Sequence, residues 1–402
     1  MQPMSVYVHV PFCVRRCGYC DFNTYTPREL GGAVSQADYA DQVITEIKLA
    51  AQFLDGDKVV QSRKPSGVPT VFFGGGTPTM LPSSDLVKIL REIDNTWGLM
   101  PDAEVTTEAN PDSVTQESIN ELAQGGFTRM SFGMQSAVPH VLHTLDRTHN
   151  HDQIPIAVNW AKQAGLKVSV DLIYGTPGES LDDWRESLET AIATGVDHIS
   201  AYALHVEPHT KMGRQILKRQ LPAPDDDDEA AKYELADELL NQAGLEWYEI
   251  SNWACGGIGG NNACQHNLAY WRGQNWWGLG PGAHSYLAES SAEEASADAM
   301  SKPRRAYRWW NVKHPAKYAQ MLSEDRLPIE EVENLTPEQI ALENVMLGLR
   351  LAEGLPIEAL EASFRDELGP LGAQGLLVFD GNQLTLTRRG RLLADTVVRK
   401  LT

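Results

Sequence analysis

Basic residues are in short supply in this chain: 34 lysines and arginines face 54 aspartates and glutamates, for a net charge of −20. Such a surface repels a phosphate backbone, so nucleic acid is not an expected partner. An anionic membrane surface is disfavoured as well, except through a local basic patch. Long hydrophobic runs are missing, although 42% of the residues are hydrophobic. No window approaches the roughly 18 uninterrupted apolar residues of a membrane span, so none is expected. Met1 to Val10 has no basic n-region ahead of its apolar stretch, so no secretory leader is expected and the location should be cytoplasmic. Cysteine is scarce too. There are five, an odd number, and in a reducing compartment they read as metal ligands rather than as a disulfide framework.

What is present is a repeating order. Six short apolar or alternating runs stand out at Val6–Val10, Val68–Phe73, Glu104–Glu108, Arg129–Gly133, Lys167–Ile173 and His198–Leu204. Between them lie stretches with helical spacing: Ser35–Leu54, Leu86 to Trp97, Thr115–Gln124, Asp152–Ala164 and Ser180–Thr194. The last three end at Gly125, Gly165 and Gly195, the glycine that follows a helix. Strand alternating with helix predicts an α/β fold with a parallel sheet, and functional residues where strands end. Beyond Val206 the pattern breaks. "PAPDDDDEA" (222–230) reads as an acidic linker running into a helix at Glu229–Ala243, and "AESSAEEASADAMSK" (288–302) as a solvated loop. The expected units are 1–210, a connecting segment 211–333, and a mainly helical C-terminal domain 334–402.

Cys13, Cys17 and Cys20 are spaced C-x3-C-x2-C on what should be a loop, and the next cysteine is Cys255. Tetrahedral zinc needs a fourth ligand, which Asp21 or His9 could supply. A [4Fe–4S] cubane takes three thiolates and leaves one iron open, ready for a ligand that chelates through an amine and a carboxylate. Other polar stations follow the strands: "GGGTPT" (74–79), Glu108, Gln135, Arg147 and Asp171. Taken alone, the glycine run is an ordinary tight turn and a lone Glu108 a solvated strand end.

With Tyr19 just before the last cysteine, the triad resembles the signature of radical S-adenosylmethionine (SAM) proteins. That resemblance implies a six-stranded partial TIM-type (β/α)6 barrel and a [4Fe–4S] cluster whose open iron is chelated by the methionine end of SAM. It also implies cleavage of SAM to a 5′-deoxyadenosyl radical. "YVHVPFC", "FFGGGTPT", "TTEANPD", "RMSFGMQS", "DLIYGTPG", "HNLAYW" and "LTRRGRLLADTVV" span nearly the whole chain. Together they resemble the family that holds the oxygen-independent coproporphyrinogen III oxidases and their haem-chaperone paralogues. Carried over residue by residue, Tyr7, Gly75, Gly76, Thr77, Glu108, Gln135, Arg147 and Asp171 are implied to line the SAM site, with Tyr19 near the adenine.

Two departures divide the branches. The oxidases carry a further cysteine two residues after the third, where this chain has Phe22. They also have a longer N-terminal extension, whereas the first run here begins at Val6. Both features resemble the chaperone branch, as does H-N-x-x-Y-W at His266, Asn267, Tyr270 and Trp271. The resemblance ties that motif to haem, with His266 as the candidate iron ligand and Cys264 as a weaker one. The neighbouring Trp276 and Trp277 add the flat apolar surface a porphyrin needs. A single histidine among 11 is more commonly a surface or satisfied core residue, and the plain alternative for Cys264 is a buried, inert thiol. His205, His209 and His284 are read first as loop caps, although each could contribute to haem.

The expected function is a haem chaperone. It binds haem and a SAM-coordinated [4Fe–4S] cluster, and passes haem to apo-haemoproteins, membrane-bound ones included. The alternatives are the oxidase itself and a zinc-bound structural module. With Phe22 in place of the oxidase cysteine, coproporphyrinogen oxidase activity is not expected.

Overall fold

The fold is described from a computed structural model, which covers residues 3–30, 36–56, 65–147, 150, 152–289 and 305–402. The apolar and alternating runs form the first six strands: β1 (Ser5–Val10), β2 (Val68–Gly75), β3 (Leu99–Ala109), β4 (Arg129–Gln135), β5 (Lys167–Tyr174) and β6 (His198–Ala203). One face of each is apolar and packed in a single core, through Val6 and Val8, Val71 and Phe73, Val105, Met130 and Phe132, Val168 and Val170, and Ile199. At roughly 1.5–3 kcal/mol for each large side chain buried, this face stabilises the layer. The opposite face carries Tyr7, Thr106, Glu108, Ser131, Gly133, Ser169, Asp171 and Ser200, most of them too small or too polar to fill space.

Helices α1 (Tyr39–Gly56), α2 (Ser83–Trp97), α3 (Gln116–Gln124), α4 (Gln153–Gln163) and α5 (Leu181–Ala193) return the chain between strands. The six strands therefore pair in chain order and all in parallel. Two returning glycines behave as expected: Gly165 and Gly195 have φ of 82° and 64°. Gly125 does not. It stays right-handed as the last half-turn of α3, and Gly126 takes the left-handed position at φ 103°.

The sheet extends well past these six strands, to twelve among the described residues. β7 (Leu245–Glu249) and β8 (Asn252–Cys255) extend it beyond β6. On the other side β9 (Trp276–Leu279) runs parallel to β1, followed by β10 (His284–Ala288), β11 (Ala306–Asn311) and β12 (Ile329–Leu335). Residues 211–333 thus supply both edges of the sheet rather than merely packing on it. Glu46 of α1 clamps one edge, accepting from Gly280 N (2.8 Å), Asn311 Nδ2 (2.6 Å) and the Tyr318 hydroxyl (2.6 Å).

One further expectation is revised. The acidic run is the first turn of α6 (Asp226–Gln242) rather than a linker. Asp225 caps the helix by accepting from Asp228 N, and Asp228 pairs with the buried Lys232 ammonium at 2.6 Å. Besides their helices, the C-terminal residues hold a small sheet. α9 (Pro337–Gly348) and α10 (Ala394–Leu401), numbered after α7 (Gln265–Trp271) and α8 (Pro315–Ser323), pack with a three-stranded sheet of β13 (Leu355–Pro356), β14 (Leu377–Phe379) and β15 (Gln383–Leu386). Arg391 joins this unit to α6, gripping Asp237 with two bonds of 2.9 and 2.8 Å. Finally, all but the first two residues of the 288–302 segment lie outside the described residues. No helix among the described residues is long and apolar enough to cross a membrane.

Candidate functional site

The polar faces of all six parallel strands look into one cavity of about 450 Å³. Cys13, Cys17, Cys20, Tyr7, Tyr19, Gly75, Gly76, Thr77, Glu108, Gln135, Arg147, Asp171, Cys264 and His266 all line it. The cysteine triad, the residues named for SAM and the haem candidates His266 and Cys264 therefore come together in one place, whereas His284 and Trp276 line a neighbouring cavity and His209 and Trp277 line neither.

The cysteines sit on the loop after β1. Asp146 anchors that loop from outside by pairing with Arg15 at 2.8 Å and with Lys211 at 2.6 Å. Burial, with the neighbouring cysteines adding to it, pushes the Cys13 thiol up to about 11, and burial raises Cys20 as well. Metal binding here must release protons, because only thiolates ligate. No three His, Cys, Asp or Glu side chains among the described residues lie close enough to hold a single ion. His9 is committed elsewhere: its Nε2 donates to Asn23 O (2.9 Å), so Nδ1 is left to accept from the Tyr7 hydroxyl (3.0 Å).

Beside the cysteines stands a polar ring. Arg147 Nη2 donates to Asn110 Oδ1 at 2.5 Å and to Gly133 O at 2.9 Å, and Nη1 reaches Cys17 Sγ at 3.6 Å. Its Nε is buried without a partner among the described residues. A Cβ on Gly133 would lie 2.8 Å from Gln135 Nε2 and 3.1 Å from Arg147 Nη2, so a larger residue there would push these two head groups aside. Gln135 has φ 63°, costly for a residue with a side chain, at a bulge against β5. Asp171 accepts from Ser131 Oγ at 2.8 Å, and burial holds it above the usual carboxylate range. Burial, then the Asp171 charge, pushes Glu108 up to about 8.

The glycine run is more constrained than a plain turn. A Cβ on Gly76 would meet Phe12 O at 2.5 Å. The N–H groups of Gly75, Gly76 and Thr77 are already spent on Glu108 Oε2, Val10 O and Phe12 O. Asn110 Nδ2 donates to Thr77 Oγ1 at 3.1 Å, linking the run to Arg147.

The H-N-x-x-Y-W helix α7 packs against the side of the cavity where β2 and β3 begin. Glu104, which also holds the buried Arg129 at 3.1 Å, accepts from His266 N at 3.1 Å. The His266 ring is buried and stacked on Phe72 at 5.2 Å. Its Nδ1 lies 2.7 Å from Thr70 Oγ1 and its Nε2 2.9 Å from the Tyr270 hydroxyl. Thr70 donates to Ser5 Oγ, so Nδ1–H must donate to Thr70, and the Nε2 lone pair faces the Tyr270 O–H. As an iron ligand His266 would first have to lose Tyr270, which differs from the sequence expectation of an open imidazole. Burial also drives its pKa down to about 3. Cys264 is buried 3.5 Å from Glu104 Oε1, and burial raises its pKa far above the usual thiol range, as an inert thiol requires.

Sequence reasoning passed over Asn110, Ser131, Ser169, Ser200, Tyr202 and Asn252, which also line the cavity. The signal was available in part. Small polar residues recur at every second position of β4, β5 and β6, the pattern of a strand face turned to a hollow rather than to a core.

Fold and cavity fall together in the radical SAM class: the Radical SAM superfamily matches residues 7–191, and the HemN C-terminal domain matches residues 335–393. A heme chaperone HemW of Mycobacterium tuberculosis is 46% identical over 401 residues, spanning 100% of this chain and 95% of that protein. The HemW of Escherichia coli is 30% identical over 407 residues, spanning 99% of this chain and 98% of its own length. The chain belongs to the HemW family. Among solved structures, the radical SAM enzyme coproporphyrinogen III oxidase (HemN) of E. coli shares the fold. Its TM-score is 0.78 at 22% identity, over 100% of this chain and 90% of that one.

Proposed function

We propose that this protein is a haem chaperone, which binds haem, carries a SAM-coordinated [4Fe–4S] cluster and delivers haem to apo-haemoproteins, membrane-bound ones among them. The observation that carries the reading is similarity to HemW proteins along the whole chain rather than over the SAM-binding part alone. Phe22 supports it: the side chain where the oxidases place a cysteine is a phenyl ring, 61% exposed on the cavity wall.

Cys13, Cys17 and Cys20 are the cluster ligands in this reading. Their spacing suits a cubane, which gives each thiolate its own iron, better than one shared ion. Loaded, the cluster supplies a redox-active iron with an open coordination position. The remaining site fits SAM. Arg147 offers an unpaired buried Nε to a carboxylate, and Glu108 and Asp171 face a cationic or hydroxyl-bearing group. Because the glycine run has turned its N–H donors inward, it suits an ammonium group rather than an anion. Gln135, Tyr7 and Tyr19 complete that set. The barrel is read as a partial (β/α)6 barrel over 1–210, extended by 211–333 and followed by 334–402, and the protein as cytoplasmic.

Two assays on one anaerobically reconstituted sample test the function. Haem titration should give a saturable Soret change, and the loaded protein should pass haem to an apo-haemoprotein. Incubation with coproporphyrinogen and SAM should yield no protoporphyrinogen. No saturable Soret change, or steady formation of protoporphyrinogen, overturns the reading.

A further inference from the structure

Next to the main cavity lies a second one of about 410 Å³, between the cysteine loop, the starts of β9 and β10, and Lys313. Phe22, Tyr7, Gly75 and Tyr270 line both. The histidines on the two cavities differ in one respect that matters for iron. His9 and His266 have both ring nitrogens engaged, His198 is buried with Nε2 on the Tyr248 hydroxyl and Nδ1 without a partner among the described residues, and His205 has Nε2 on Glu207. His284, at the start of β10, has neither nitrogen engaged among the described residues. Its ring is held by stacking on Trp310 at 5.6 Å, and its carbonyl accepts from Trp276 Nε1 at 3.0 Å.

The surroundings of His284 favour a flat, anionic, metal-bearing ligand. Phe22 and Trp276 give aromatic surface on the cavity wall. Lys313 is exposed on the same wall, and its ammonium has no ion-pair partner among the described residues, although acidic residues outnumber basic ones by 54 to 34. Burial, then the Lys313 and Arg308 charges, hold His284 below the usual imidazole value, so near neutral pH it keeps a lone pair to give.

We propose that haem binds in this second cavity with His284 as axial ligand, its ring system against Phe22 and Trp276 and a propionate on Lys313. The assignment rests on the chaperone reading and deepens it. Coordination forms an Fe–N bond from the imidazole lone pair in place of the water on the haem iron, and no electron moves. His266 becomes a positioning residue: it holds Tyr270, which stands edge-on to Trp276 at 4.8 Å and walls the second cavity.

Ferric haem titrated into the full-length protein tests this. The wild type should show an imidazole-ligated Soret band. His284→Ala should lose that band, weaken haem binding about tenfold or more, and regain the band when imidazole is added. His284→Met, which can still ligate, should keep binding with a shifted band. His266→Ala should keep the wild-type band position, and Lys313→Ala should weaken binding and flatten its salt dependence. An unchanged band in His284→Ala, or loss of the band in a folded His266→Ala, overturns the ligand assignment and leaves the chaperone reading intact. No saturable binding by the wild type removes the chaperone reading, and the assignment with it.

Discussion

The side-chain amide of Asn23, three residues beyond the last cysteine of the triad, donates to the carbonyl of Lys313 at 2.9 Å, across 290 positions of sequence. The same nitrogen donates to Pro281 O at 2.9 Å. The cysteine loop is thereby fastened to the wall of the second cavity. Asn23→Ala leaves two carbonyls without that donor, at a local cost of about 1–2 kcal/mol. The loop should loosen without global unfolding. Iron loss to a chelator should speed up several-fold while the thermal midpoint moves little.

Glu108 should give SAM binding a proton signature. Its pKa is raised to about 8 by burial and the Asp171 charge, so in the empty cavity below that pH the carboxyl holds its proton. A cationic ligand favours the charged form and must displace the proton. Affinity should therefore rise as pH increases towards about 8 and then level off. Calorimetry in buffers of different ionisation enthalpy should detect proton release near neutrality, and Glu108→Gln should remove both effects.

Arg147→Lys should separate SAM binding from cluster binding. The planar guanidinium bonds Asn110 and Gly133 together, and a lysine cannot reproduce that fork. SAM affinity should fall about tenfold or more, since each lost charged hydrogen bond costs about 1.5–3 kcal/mol. Iron and sulfide content should stay at the wild-type level. Loss of iron together with SAM binding would mean that Arg147 holds the loop rather than the ligand.

Glu46 should govern stability. Removing it in Glu46→Ala strands Gly280 N and the Tyr318 hydroxyl in the interior and takes one of the two acceptors from Asn311 Nδ2, which keeps Gly280 O, a cost of about 3 kcal/mol by denaturant unfolding. Burial raises its pKa to about 7. The folded state then holds a proton that the unfolded chain gives up at the ordinary carboxylate value. This contribution is full in acid and is lost as pH rises through about 7. Glu46→Gln should flatten the pH dependence of the thermal midpoint over that window.

The parallel strands were legible because alternation and turn chemistry act locally. Val6, Val8 and Val10 on one face of β1, with Tyr7 and His9 on the other, need no partner to be read. The cysteine loop and the strand-end residues were legible for the same reason, as motifs carrying their own spacing. β7 to β12 were not. Trp276–Leu279 is four residues long, and its strand character comes from pairing with β1, more than 260 positions away in sequence. The acidic run looked like a linker because the buried Lys232 that Asp228 serves belongs to the tertiary structure. His266 shows the same limit. Its motif was visible, but the hydroxyls of Thr70 and Tyr270 that occupy its nitrogens meet only in the folded chain.

The wall of Phe22, Tyr7, Gly75 and Tyr270 between the two cavities has a thermodynamic consequence. If filling one cavity shifts Tyr270 or Phe22, the other cavity changes its affinity, and the factor is the same in both directions. A coupling of about 1–3 kcal/mol, the usual range, is a 5- to 150-fold change. Such a partition would let arrival on the cluster side set how readily cargo leaves on the other, without either ligand touching the other.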